Sequence, residues 1–153
     1  MNIVIRKATL QDTDCLAKWA QAMALETEEK ILPDEKIIPG VIAGLSDDQT
    51  ARYFVAEIEG ISVGTLMITT EWSDWRNGLW LWIQSVYVHP EYRRKGVYRA
   101  LYAHIQAMAK QRPNICGIRL YVEKENQKAQ LTYKNLGMQD AHYLVFEQCA
   151  DDF

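Results

Sequence analysis

The apolar residues of this chain recur with two periods, one typical of strands and one typical of helices. Alternating or continuous apolar runs predict six strands, at residues 2–8, 52–58, 62–72, 79–88, 116–122 and 139–148. Apolar residues spaced i, i+3, i+4 and i+7 predict four helices, at about 12–24, 33–45, 97–112 and 127–136. The order β-α-α-β-β-β-α-β-α-β predicts a mixed α/β domain that is neither doubly wound nor a barrel.

Turn-forming residues set several boundaries between these elements. The pair Asn77-Gly78 predicts a tight turn between the third and fourth strands. Gly137 is placed to end the last helix. Glu26 to Glu29 are expected to form a loop after the first helix. Residues 79–88 are apolar on both faces, which predicts a central strand covered on each side.

The composition is that of one ordinary globular domain. The 153 residues are 48% hydrophobic and 24% charged, enough to bury a full core, so we expect a single domain over residues 1–153. A net charge of −3 argues against nucleic-acid binding through bulk positive charge. Cys15, Cys116 and Cys149 lack metal-ligand spacing and are expected to be reduced thiols of a cytoplasmic protein without a metal. No apolar run is long enough to predict a membrane span.

A short basic loop joins the fourth predicted strand to the third predicted helix. The helix start offers backbone N–H groups without intrahelical partners and the positive end of a dipole. Gly96 lies in the loop, and four cations surround it: Arg93, Arg94, Lys95 and Arg99. This junction predicts an anion-binding site.

Two segments together resemble the GNAT superfamily of N-acetyltransferases. Residues 93–98, Arg-Arg-Lys-Gly-Val-Tyr, resemble its acetyl-CoA loop, Gln/Arg-x-x-Gly-x-Gly/Ala, between a strand and a helix. Asn126, Ala129, Tyr133 and Gly137 resemble its C-terminal signature on a short helix. Both segments occur in the family's order, and the resemblance extends over essentially the whole chain.

The resemblance implies a single GNAT-like domain with a mixed, mostly antiparallel sheet, splayed central strands and flanking helices. It also implies acetyl-CoA as cosubstrate. The backbone of the fourth strand would pair with the pantetheine arm, and the loop would hold the pyrophosphate. The cofactor-binding residues implied are Val86, Val88, Arg93, Arg94, Lys95, Gly96, Val97, Tyr98, Arg99, Asn126 and Tyr133.

Tyr98 departs from the family pattern, which has Gly or Ala at that position. Its side chain could point away while its amide still binds phosphate, or it could narrow the pocket. We expect the first arrangement.

The activity implied is transfer of an acetyl group to a primary amine by direct attack in a ternary complex. Tyr133 matches the family's acid, since a phenol stays protonated at neutral pH and can donate to the leaving sulfur. The alternative is a core tyrosine that shares a helix face with Ala129 and Leu136.

The base is less clear, because Trp82 and Gln84 stand where some family members have a carboxylate. Glu71 is our first choice among the nearby carboxylates, which also include Asp74 and the cluster Glu26, Glu28 and Glu29. A water chain could carry the proton instead, or the amine could arrive neutral.

Tryptophans and carboxylates suggest a small-molecule or peptide amine, small or cationic, as acceptor. The substrate-binding residues we expect are Glu26, Trp72, Asp74 and Trp82. The alternative is that Trp80 and Trp82 are core residues, while Trp72 and Trp75 form a hairpin lid.

Two other functions compete with this one. A catalytically inactive acyl-CoA-binding sensor or partner module would keep the loop and lose the chemistry. A nucleic-acid binder that uses Arg93 to Arg99 is disfavoured by the net charge.

Family members often pair through C-terminal strands, so the resemblance is also compatible with a homodimer.

Overall fold

The computed structural model describes all 153 residues, which form two compact units, Met1–Tyr121 and Val122–Phe153. The first unit contains five strands and three helices: β1 (Ile3–Lys7), α1 (Thr13–Glu28), α2 (Asp34–Ser46), β2 (Arg52–Ile58), β3 (Ile61–Ser73), β4 (Gly78–Val88), α3 (Val97–Lys110) and β5 (Ile115–Leu120). The second unit contains α4 (Gln127–Asn135). The predicted α/β class is confirmed, as is the order of elements as far as α4.

The five strands form one open sheet in the order β1-β2-β3-β4-β5. Strands β1 to β4 pair antiparallel, and β5 joins β4 in parallel. A parallel neighbour needs a crossover connection, which α3 supplies. The mixed, mostly antiparallel sheet is therefore as predicted.

Helices α1 and α2 pack on one face of the sheet. Their buried residues Leu16, Ala17 and Val41 form a cluster with Tyr53 and Val55 of β2. These two β2 residues are two positions apart and so point to the same face. The periodicity that predicted α1 and α2 thus corresponds to their buried sides.

Helix α3 packs on the opposite face. Phe54 alternates with Tyr53 and Val55, and its ring centroid lies 5.1 Å from that of His104. Val97, Leu101 and Ile105 of α3 are 0–2% exposed. Burial of each such side chain contributes about 1.5–3 kcal/mol. None of the helices is both long enough and apolar enough to cross a bilayer.

The prediction of a loop at Glu26 to Glu29 is wrong for its first three residues, because α1 continues to Glu28. Glu29 then adopts a left-handed conformation with φ 54°, and its N–H donates to the carbonyl of Ala24. The hydroxyl of Thr27 donates to the carbonyl of Met23 at 2.8 Å. The last turn of α1 buries no side chain and so shows no apolar period. For this reason the sequence pattern predicted a helix that ends too early.

The strand predicted at 139–148 is also wrong. In the second unit, α4 is closed by Gly137 at φ 97°, and residues 139–148 have neither helix nor strand structure. Their apolar side chains Tyr143, Leu144, Val145 and Phe146 are 65–90% exposed. A strand exists only with a paired neighbour, and the sheet contains no strand from this segment.

Candidate active site

The candidate site begins at the point along β4 where pairing with β5 ends and β3 is the only neighbouring strand. Pairing between β4 and β5 ends at Ile83 and Leu120, whereas β4 continues for five residues to Val88, still paired with β3. The N–H of His89 donates to Val63 of β3 at 2.9 Å. Because backbone groups alternate sides along a strand, those of Val88 and Val86 face away from β3. They therefore lie on the side from which β5 is missing.

We call Gln84 to Val88, which have only β3 as a neighbouring strand, the half-paired segment. A bulge marks its start. The register of β3 on β4 shifts between Thr65 and Met67. Opposite the shift, Ser85 has a φ of 51°, in the left-handed region that non-glycine residues seldom occupy. An extra residue in one strand increases its local twist, which helps to turn the end of β4 away from β5. Nothing in the sequence around Ser85 signals this bulge.

The loop after β4 leads into the first turn of α3. Gly96 precedes the helix with φ 84°, and no side chain caps the helix start. A Cβ at Gly96 would meet no protein atom within 4 Å. Glycine is therefore favoured there by the backbone angle rather than by space within the protein. The N–H groups of Val97, Tyr98 and Arg99 come before the first bond of the helix, from Ala100 to Gly96, and are suited to bind an anion.

The four predicted cations are not equivalent. Arg94, Lys95 and Arg99 are exposed, and the Lys95 ammonium lies 5.3 Å from the Tyr92 ring centroid. Arg93 instead turns toward the protein: its Nε donates to the carbonyl of Val88 at 2.8 Å. Its Nη2 contacts the Glu26 carboxylate at 2.9 Å. The structure thus brings Glu26, expected to bind substrate, together with Arg93.

Tyr98, the departure from the family pattern, lies in the first turn of α3. Its ring centroid is 6.2 Å from that of Tyr102, one turn further along the helix. The two rings are therefore neighbours on one face of α3, while the N–H group of Tyr98 stays among the first-turn donors.

The tryptophans of β4 lie toward its other end. The guanidinium carbons of Arg119 and Arg76 lie 3.8 Å and 4.9 Å from the Trp80 ring centroid. The ring of Trp82 is 4.5 Å from that of Tyr121. Glu71, the candidate base, pairs with Trp80 in the sheet and accepts a hydrogen bond from Arg119 at 2.8 Å.

The number of residues between Trp80 and Val86 places Trp80 and Glu71 far from the half-paired segment of β4. Trp80 precedes Val86 by six residues, so Glu71 opposite Trp80 lies about 20 Å from Val86 at the usual rise of a strand. Trp72 pairs with Leu79, still further along the hairpin, and is 60% exposed. Asp74 lies in the turn and accepts from the N–H of Trp75 at 2.9 Å. The structure therefore does not bring Trp72 or Asp74 together with the end of β4.

The second unit contains the other two predicted residues, Asn126 directly before α4 and Tyr133 within it. The Asn126 side chain caps this helix, accepting from the N–H of Ala129 at 3.0 Å. Tyr133 lies further along the helix, and burial raises the pKa of its phenol above the ordinary value of 10.0. The phenol is therefore protonated at neutral pH, as an acid must be. No group of three or more His, Cys, Asp or Glu side chains in the structure could hold a metal ion.

A family model agrees with this description. The model of the acetyltransferase (GNAT) family matches residues 15–138, which include the half-paired strand, the basic loop and α4. The chain belongs to the acetyltransferase (GNAT) family. A search of curated protein sequences found no match.

Solved structures show the same fold. A protein described as a possible acetyltransferase from Clostridium difficile 630 is 44% identical, with 98% of this chain and 99% of that one covered and a TM-score of 0.91. A protein from Clostridium acetobutylicum, solved with acetyl-CoA, is 22% identical over 95% and 96% of the two chains, with a TM-score of 0.75. The aminoglycoside N-acetyltransferase AAC(6')-Iy, in complex with the bisubstrate analogue CoA-S-monomethyl-acetylneamine, is 16% identical over 97% and 99%, with a TM-score of 0.77.

Proposed function

We propose that this chain is an N-acetyltransferase that moves an acetyl group from acetyl-CoA to a primary amine by direct attack. The junction of β4 with α3 carries the proposal. There a strand without its second neighbour leads into a helix start whose first N–H donors come before the first helical hydrogen bond. The amides of a pantetheine arm can pair with the backbone of Val86 and Val88, and a pyrophosphate suits the first turn of α3. Relatives solved with acetyl-CoA and with a CoA bisubstrate analogue support this choice of donor.

In the reaction, the amine nitrogen attacks the thioester carbonyl, and the carbon–sulfur bond then breaks. Tyr133 donates its phenolic proton to the leaving thiolate. Its raised pKa keeps that proton in place at neutral pH, and a donor positioned at a leaving group accelerates transfer by about 10²–10⁴-fold.

The proton released by the amine goes to water in this proposal. Glu71, the sequence-based prediction for the base, is ion-paired with Arg119 and lies well upstream of Val86. A water chain, or an amine that arrives neutral, needs no carboxylate at the reacting atoms. Glu71 stays a prediction that a single substitution tests.

The acceptor we propose is a small or cationic amine, free or on a peptide. Trp82 is the predicted substrate residue on β4 itself, and its ring packs against that of Tyr121 at an angle of 31°. The aminoglycoside N-acetyltransferase AAC(6')-Iy has the same fold and is solved with the bisubstrate analogue CoA-S-monomethyl-acetylneamine, which supports the choice of an amine acceptor. The free thiols of Cys15, Cys116 and Cys149 fit the predicted cytoplasmic location. A homodimer stays a prediction.

Release of free thiol from acetyl-CoA tests the proposal directly, across a panel of small amines, polyamines, amino acids and lysine-containing peptides. We expect acceptor-dependent release, fastest with a cationic amine. The rival function, an inactive acyl-CoA-binding module, predicts that acetyl-CoA raises the melting temperature but that no acceptor increases thiol release. Faster reaction of neutral or acidic acceptors would contradict the cationic class.

A further inference from the structure

Arg93 differs from the other cations of the basic loop in what it contacts. Its Nε donates to the Val88 carbonyl at 2.8 Å. Its Nη2 donates to Glu26 Oε2 at 2.9 Å and to Oε1 at 3.2 Å. The guanidinium carbon lies 5.4 Å from the ring centroid of Tyr87. One side chain thus joins the loop, the end of β4 and the last turn of α1.

We propose that Arg93 is a positioning residue that acts with Glu26, and not a ligand of the pyrophosphate. This inference rests on the proposed function. A guanidinium has five N–H groups in a fixed fork. When Nε and Nη2 point at Val88 and Glu26, the fork is directed at the protein. The phosphates are left to Arg94, Lys95, Arg99 and the first-turn amides of α3.

The contacts indicate what is being positioned. Val88 is the last residue of β4, and its N–H and the backbone of Val86 face the side that β5 leaves open. A bond from Nε fixes the peptide group that carries the Val88 carbonyl. Glu26 fixes the guanidinium in turn, from the last turn of α1. The side chains of Arg93 and Glu26 are 42% and 43% exposed, and exposed ion pairs contribute little to stability. The expected consequence is therefore a geometric effect on donor binding rather than a large effect on folding.

Kinetics with two acetyl donors can distinguish a positioning role of Arg93 from direct binding of phosphate by Arg93. Acetyl-CoA carries phosphates, and S-acetylpantetheine carries the same arm and thioester without them. For Arg93→Gln we expect kcat/KM to fall about tenfold with both donors, the factor for loss of a hydrogen bond to a charged group. Arg99→Gln is the matched control, since Arg99 is an exposed cation in the first turn of α3 and makes no ion pair. That variant should lose kcat/KM with acetyl-CoA alone. An Arg93→Gln variant that behaves like Arg99→Gln would overturn the inference.

Glu26→Ala provides a second, independent measurement, with Glu28→Ala on the same helical turn as its control. We expect Glu26→Ala to lower kcat/KM for both donors by a common factor and Glu28→Ala to leave both unchanged. The double variant Arg93→Gln/Glu26→Ala should lose no more than Arg93→Gln alone, because the two side chains act as one unit. Full activity of Glu26→Ala, or additive losses, would contradict the pairing. If the wild type releases thiol from neither donor, the proposed function fails. If the wild type is active but the kcat/KM ratios of the variants to the wild type depart from those expected, only the positioning role fails.

Discussion

The two halves of β4 have the same kind of sequence and different surroundings. Leu79 to Ile83 pair with β3 on one side and with β5 on the other. Gln84 to Val88 have β3 as their only neighbouring strand, and this half contains the bulge at Ser85. Each half is accompanied by one glutamate–arginine pair, Glu71 with Arg119 and Glu26 with Arg93. The backbone of the first half has a neighbouring strand on each side, whereas the second half has one open side that can pair with a ligand.

If the donor binds as proposed, the binding capacity of β4 comes from a missing neighbour and not from residue type. Valine at 86 and 88 is ordinary for a strand, and its side chain carries no recognition chemistry. What matters is that β5 ends at Leu120 while β4 continues. Changes at the end of β4 should therefore affect donor binding, and changes in its first half should affect folding.

The largest effect should come from Gly96→Glu at the α3 end of the junction. The variant places a negative charge beside the first-turn N–H groups and forces a side chain into φ 84°. We expect acetyl-CoA binding to be lost, measured by calorimetry and by the shift in melting temperature.

Gly60→Glu is the control for backbone strain in that experiment. Gly60 has a φ of 78° in the turn between β2 and β3, and a Cβ there also meets no atom within 4 Å. It should cost similar folding stability and leave acetyl-CoA affinity intact. Tight acetyl-CoA binding by Gly96→Glu would place the pyrophosphate elsewhere.

Tyr133→Phe tests whether acetyl transfer requires a general acid in addition to donor binding at the half-paired segment. We expect kcat to fall about 10²-fold or more, as for loss of a general acid, with acetyl-CoA affinity unchanged. Burial raises the pKa of Tyr133, so its deprotonation should not limit kcat below about pH 10. Tyr143→Phe, at a residue 73% exposed in the same unit, is the control. Equal kcat in Tyr133→Phe and the wild type would remove the acid role.

Much of this site was predictable because its signals are local. The period of Val97, Leu101 and Ile105 predicted α3, and the basic loop with Gly96 lies directly before that helix as expected. Anion binding at this loop stays a prediction. The Arg93–Glu26 pair was not predictable, since 67 residues separate its members and no local pattern links them. Glu26 was also assigned to a loop, because a solvent-facing last turn has no apolar period.

The prediction at 139–148 failed for a different reason. The segment has the apolar content of a strand, with Leu144 and Val145 among its residues, but a strand also requires a partner. Sequence periodicity reports which side chains could be buried and says nothing about which backbone is available to pair.

Trp80→Ala examines the fully paired half of β4. The Trp80 ring covers Gly117 of β5, where a Cβ would come within 3.0 Å of two ring atoms, and it packs against Arg119. We expect a loss of about 1–3 kcal/mol in the free energy of unfolding, less than for a fully buried aromatic. Urea denaturation measures it, and acetyl-CoA affinity should change less than twofold. Trp75→Ala, at a residue 86% exposed, should alter stability by less than about 0.5 kcal/mol. Reduced donor affinity in Trp80→Ala would remove the division between the two halves.

The smallest effect should come from Glu71→Gln, which removes the charge of the ion pair in the paired half. The side chains of Glu71 and Arg119 are 46% and 23% exposed, so the loss of stability should be about 0–1 kcal/mol. Glu71 lies about 20 Å upstream of Val86 by strand spacing, too far to take a proton from an amine at the thioester. We therefore expect kcat and its pH profile to be nearly unchanged, within about threefold. A large fall in kcat together with loss of the acidic limb of that profile would instead make Glu71 the base and extend the catalytic region into the paired half of β4.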